Sequence, residues 1–139
     1  MRDLMPVRVP AGWAVVFNLF IEFPIDQPPT SEEYEAYLGE DILSLQRVGV
    51  NDGRWEVAGD VIDLGWYPGE DPSGVYRLCL VRDRWKDVPV TFEHRDCYVI
   101  QKALDTLLRM LSEGKRAEVI SRVLTDPRFP GLAQRQRRN

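Results

Sequence analysis

"CYVIQKALDTLLRML", residues 97–111, is where the hydrophobic pattern of this chain changes period. Ile100, Ala103, Leu104, Leu107, Leu108 and Leu111 recur at spacings of three and four, which sets them in one stripe along an α-helix. A stripe of that width needs an apolar surface to cover, and the residues before it read mainly as strands. Six such side chains buried at about 1.5–3 kcal/mol each contribute on the order of 10 kcal/mol before chain entropy is counted. The pattern therefore predicts an α+β fold: a mainly antiparallel, twisted sheet of four to six strands with the long C-terminal helix packed on one face.

Working back from the helix, "VPVTFE" (88–93) and "GVYRLCLVR" (74–82) are apolar runs separated by the charged turn "RDRWKD". "RWEVAGDVIDLGWY" (54–67) precedes them, with Gly59 as a candidate bulge. "DILSLQRVGV" (41–50) fits helical spacing as well, but the "NDG" at 51–53 is a hairpin signal that favours pairing with 54–67. "GWAVVFNLFIEF" (12–23) is apolar on both faces and is expected to be a central strand. Between these runs, "PIDQPPTSEEYEAYL" predicts a proline-broken loop and a short helix capped by Thr30 or Ser31, with Glu32, Glu33 and Glu35 in the first turn and Gly39 ending it. A second, shorter helix follows Gly114 in "RAEVISRVL" (116–124). Residues 1–129 are expected to form a single domain, and 130–139 a basic, flexible C-terminal tail.

The chain has 139 residues, 44% of them hydrophobic, enough to bury roughly two-thirds of its unfolded surface without a staple. The net charge of -4 is unevenly spread. Residues 1–95 hold 9 Lys and Arg against 17 Asp and Glu, and residues 96–139 hold 9 against 5. An acidic body of this kind argues against nucleic-acid binding, which needs a basic face. Cys79 and Cys97 have no neighbour at metal-ligand or redox spacing, and no secretory or membrane-spanning pattern occurs, so no membrane association and a reducing cytoplasm are expected.

Chemistry is sparse. "HRDC" (94–97) shares three letters with the catalytic loop of protein kinases, but the metal-binding Asn and the Gly-rich phosphate loop that the reaction needs are missing. The better reading is structural, with Asp96 or a near neighbour capping the helix and His94 at the junction. His94 is the only histidine, no nucleophile elbow is present, and Asp60, Asp63, Glu70 and Asp71 are no more than four carboxylates among 22. No cofactor or metal is expected, and the weight falls on a non-catalytic protein.

The loop "YPGEDPSG" (67–74) is shaped by its prolines and glycines, with Gly74 expected to take a positive φ, whereas Glu70 and Asp71 have no purpose in a hairpin. They are candidate binding residues, as are Glu32, Glu33 and Glu35. Trp85, between Arg84 and Lys86, is a candidate anchor near the loop pair. In size, in acidity and in the strand-rich "GRWEVAGDVIDLGWYPGEDPSGVYRL" followed by "YVIQKALDTLLRML", the chain resembles the immunity proteins of bacterial polymorphic-toxin and contact-dependent inhibition systems. That resemblance implies a protein partner, a cognate toxin with a basic domain that an acidic surface neutralises, and it transfers no residue roles. The alternative is a small cytoplasmic enzyme or ligand-binding domain with a pocket between sheet and helix. A third reading is a homodimer formed through a sheet edge.

Overall fold

The computed structural model describes residues 2–131. The order of elements is β1 (Trp13–Asn18), α1 (Ser31–Tyr37), β2 (Leu43–Asn51), β3 (Arg54–Tyr67), β4 (Val75–Arg82), β5 (Asp87–His94), α2 (Cys97–Ser112) and α3 (Ala117–Thr125). The five strands form one antiparallel sheet in the order of the sequence, β1-β2-β3-β4-β5, so the fold is α+β with an open meander and three helices. The basic tail expected from the sequence falls largely in 132–139, outside the described residues.

Cross-strand register explains the core. Leu43, Leu64, Leu78 and Phe92 form one row, and Leu45, Ile62, Leu80 and Val90 the next. Residues two apart on a strand share a face, so both rows point the same way. All but the half-buried Phe92, which packs against it, join one buried cluster with Ile100, Ala103, Leu104, Leu107, Leu108 and Leu111 of α2 and Ile120 and Leu124 of α3. The helical stripe read from the sequence is thus the stripe that is buried. The helix itself is sixteen residues rather than long, and it shares its layer with α3 against β4 and β5.

Local chemistry sets the element ends. Thr30 caps α1 in a reciprocal capping box with Glu33, and the Asp96 carboxylate accepts from the Tyr98 N–H at the start of α2. The β2–β3 hairpin turns at Asp52 and Gly53, both at positive φ as a two-residue primed turn requires. Gly59, at φ 85, lies where the register shifts by two extra residues on β3. Asp60 in that bulge accepts from Arg47 (3.2 Å) and Arg82 (3.1 Å), which ties three strands together. Beyond it, residues 48–60 continue past both neighbouring strands as a two-stranded arm.

One expectation is overturned. The run 12–23 is not a central strand. β1 is a sheet edge of six residues, and Val15, Val16 and Phe17 are exposed. The Asn18 side chain accepts from the Phe20 N–H and turns the backbone, after which Phe20, Ile21 and Phe23 enter the core outside any strand. The run is apolar twice over because its first half faces an open edge and its second half fills the core.

Truncating a side chain in the middle of the buried stripe removes contacts that the packed layers replace only in part. Leu104→Ala is expected to cost about 2–5 kcal/mol in urea unfolding. A loss below about 0.5 kcal/mol would mean that this face of α2 is not the one that packs.

Candidate acidic surface and adjoining cleft

The loop of residues 68–74 is held by Trp66. The indole N–H donates to the Asp71 carbonyl (2.7 Å), while the Asp71 carboxylate accepts from the Ser73 N–H (2.9 Å) and hydroxyl (2.8 Å). Those two donors hold the Asp71 carboxyl below its ordinary range. Arg95 closes the other side, donating to the carbonyls of Gly74 and Pro72 with its guanidinium 5.6 Å from the Trp66 ring. Asp71 therefore shapes the loop, a role the sequence reading did not assign to it. Gly74 is required for a different reason than expected: its φ is not positive, but any Cβ there would collide with the Trp66 indole nitrogen. The residue at positive φ is Glu70, at 65°.

The same loop docks on α1. The Glu70 N–H donates to the Leu38 carbonyl (2.7 Å), the Trp66 N–H to that of Gly39 (2.8 Å), and Tyr34 packs 6.0 Å from the Trp66 ring. The two acidic groups named from the sequence are thus brought to one end of the sheet. Within the helix group, Glu33 is committed to the fold. It receives Arg2 through two bonds (2.7 and 2.9 Å) and the Thr30 N–H, and the bonds from Arg2 come first in holding its carboxyl down at about 2. Glu32 and Glu35 remain exposed, with Glu35 in the second turn rather than the first. Glu40 and Asp41 join them, both exposed in the turn that the loop packs against; Glu40 lies beside Gly69. Sequence reasoning missed this pair, although an acidic "ED" directly after the helix-ending Gly39 was the available signal.

Trp85 lies elsewhere. It is exposed in the β4–β5 turn, where Asp83, Arg84 and Trp85 all take positive φ. The eight residues of β4, about 26 Å at strand rise, separate it from the loop of 68–74, so Trp85 and Glu70 are not neighbours.

Beside the acidic surface a cleft of about 290 Å³ opens between the strand ends, α1 and the start of α2. Its walls include Phe23, Pro28, Tyr34, Trp66, Tyr76 and His94. The nucleophile and base that a Cys–His mechanism needs are otherwise engaged. His94 Nδ1 accepts from the Asp96 N–H (3.0 Å) and its ring stacks on Phe92, while the Cys97 thiol donates to the Phe23 carbonyl (3.6 Å). Burial pushes the Cys97 thiol up, away from the thiolate that attack requires. Among the described residues no group of three or more His, Cys, Asp or Glu side chains is arranged to hold a metal ion. No helix among them is long and apolar enough to cross a membrane.

On the opposite sheet face, Asp63 stands in a row with Ser44, Cys79 and Thr91. Burial, and then the nearby charge of Asp41, push its carboxyl up to about 6. Compared with family models, with curated proteins and with solved structures, the chain matches none.

Two measurements follow from this geometry. Asp63 has a folded-state value above its unfolded one near 4, so its contribution to stability is present below about pH 4 and lost as the pH rises through about 6. Asp63→Asn is expected to be more stable than the parent at pH 7.5 by about 1 kcal/mol, after allowance for solvent screening, and equal to it near pH 4 in urea unfolding. An advantage that does not change with pH would exclude the titration. In the loop, Asp71→Ala is expected to lose about 1 kcal/mol with the turn it caps, whereas Glu70→Gly is expected to be neutral or stabilising by up to about 1 kcal/mol because it relieves a positive φ. The reverse order of the two would contradict the roles assigned here.

Proposed function

We propose that this chain is a non-catalytic protein-binding domain of the reducing cytoplasm whose acidic end engages a basic partner. The observation that carries the reading is the convergence of α1, the 39–41 turn and the 68–74 loop. Their exposed carboxylates Glu32, Glu35, Glu40, Asp41 and Glu70 are not used to hold the fold, whereas Glu33 and Asp71 are. A fixed cluster of like charge attracts a complementary cluster over a Debye length and raises the rate of encounter. Arg2 and Arg95, which also reach this end, are occupied by Glu33 and by backbone carbonyls. The likeness to toxin-immunity proteins names the kind of partner such a surface suits: a toxin domain whose own cleft is basic because it acts on phosphate. No role is proposed for Trp85 in this contact.

The aromatic cleft supports a second reading, a ligand-binding domain. Its volume is at the small end for small-molecule sites, and its walls are apolar with few polar groups, as such sites require. Because His94 and Cys97 are occupied within the fold, that reading is one of binding rather than catalysis.

The first reading is tested on the protein partner that a pull-down from the native host captures. Association is followed by stopped flow at low and high salt for the parent and for Glu35→Lys with Glu70→Lys, two exposed positions whose reversal leaves the internal bonds intact. The double variant is expected to associate about tenfold or more slowly at low salt, with a flatter salt dependence and unchanged thermal stability. Equal rates at both salts would remove the acidic end from the interface.

A further inference from the structure

One edge strand of the sheet has no second partner among the named elements of the described chain, and the N-terminal residues Asp3 and Met5 bond only past its end, to Glu22 and Phe20. β5, at one side, is contacted by α2 and α3, whereas β1 at the other side pairs only with β2. Exposed edges are normally blunted by charge, by proline or by bulges. β1 has a register irregularity between Val15 and Phe17 and none of the other devices: from Val9 to Ile21 the sequence carries no charged residue, and no proline after Pro10. Its side chains are apolar and open, with Val15 51%, Val16 61%, Phe17 39% and Leu19 40% exposed.

The same edge continues into the arm. There Val48 pairs with Val57 and Val50 with Trp55, so four apolar side chains share one face of a two-stranded ribbon. Val50, Trp55 and Val57 are 61%, 73% and 71% exposed. A free ribbon of this kind is marginal in water, and apolar surface so placed marks an interaction site. By their exposed fractions, Val15, Val16, Phe17, Leu19, Val50, Trp55 and Val57 leave on the order of 700 Å² open, distributed over both faces of the edge, against the roughly 800 Å² that each partner contributes to a stable interface.

We propose that the occupant of this edge is a second copy of the chain. The two β1 strands pair antiparallel about a two-fold axis near Val16 and join two five-stranded sheets into one of ten. An isologous contact must be complementary to itself. An uncharged strand meets its own copy without like-charge repulsion, which a patch drawn from the acidic remainder of a chain of net charge -4 does not. Antiparallel pairing also brings the Leu19 end of one β1 beside the arm of the other, where Val50, Trp55 and Val57 are desolvated. β1 adjoins the acidic end through Leu19, whose N–H donates to the Ile42 carbonyl next to Asp41, whereas Val16 and the arm lie away from it, so the failure of either proposal leaves the other standing.

The test is sedimentation equilibrium between about 1 and 200 µM. The parent is expected to approach about 32 kDa, twice the chain mass of 16.1 kDa. Val16→Lys, which sets a charge opposite its own copy at an exposed position, is expected to stay monomeric with an unchanged melting temperature. Should that variant fail to fold, amide exchange on the parent carries the test, with protection of residues 13–19 expected to rise with protein concentration. A parent that remains monomeric throughout, a folded Val16→Lys that dimerises equally well, or exchange in β1 that is indifferent to concentration would overturn the proposal.

Discussion

The Trp66 indole is the contact on which the functional end of this protein depends. One N–H, donated to the Asp71 carbonyl, fixes the 68–74 loop, and the ring carries Tyr34 of α1, Tyr76 of β4 and the guanidinium of Arg95 before α2. Four segments, two of them about thirty residues away in sequence, thereby share one side chain. A hairpin loop is ordinarily the least constrained part of a meander, with its backbone groups solvated and its tip free to move. Here the backbone of Glu70 is bonded to the end of α1, and the loop's own acid is consumed in shaping it. The charge left over is presented on a framework and not on a tether. That matters for binding, because a surface already in its bound form avoids an ordering cost on association.

The sheet beneath carries α2 and α3 on one face only. Two rows of apolar side chains meet α2 and α3, and the reverse face carries the half-buried Asp63 among Ser44, Cys79 and Thr91. An antiparallel meander tolerates this arrangement, because alternation along each strand can serve two different environments. Its cost is an edge with unpaired backbone groups, and β1 leaves that edge apolar. The fold is thus polar in its organisation: a charged, internally bonded surface at one end, and an apolar arm that continues past the neighbouring strands at the other.

Local signals in the sequence carried most of the fold. The three-four spacing in 97–111 marked both the helix and its buried face, "NDG" marked the hairpin, and Thr30 and Asp96 marked two helix starts, because in each case the deciding interaction lies within a few residues. Long-range contacts decided the remainder. Nothing local distinguishes an apolar strand at an open edge from one in the middle of a sheet, so β1 was misassigned, and the break at Asn18 needed knowledge of where Phe20 is buried. Gly74 is a glycine because an indole eight residues earlier fills the space its Cβ would take, and spacing alone suggested a turn instead. The acidic groups were recognisable as charges, but dividing them into working residues, Glu33 and Asp71, and free ones, Glu32, Glu35 and Glu70, required the partners Arg2, Thr30 and Ser73. Trp85 was placed near Glu70 from closeness in sequence, and the length of a single strand separates them.

The central claim is that the acidic end is a preformed surface held by Trp66. Backbone ¹⁵N relaxation of the 68–74 loop tests it most directly. The account predicts order parameters for Glu70, Asp71 and Ser73 near those of the strands, about 0.85, and their fall in a Trp66→Phe variant, which keeps an aromatic ring but loses the indole N–H. Values below about 0.6 in the parent would describe a loop that moves independently of the core, and would contradict the account.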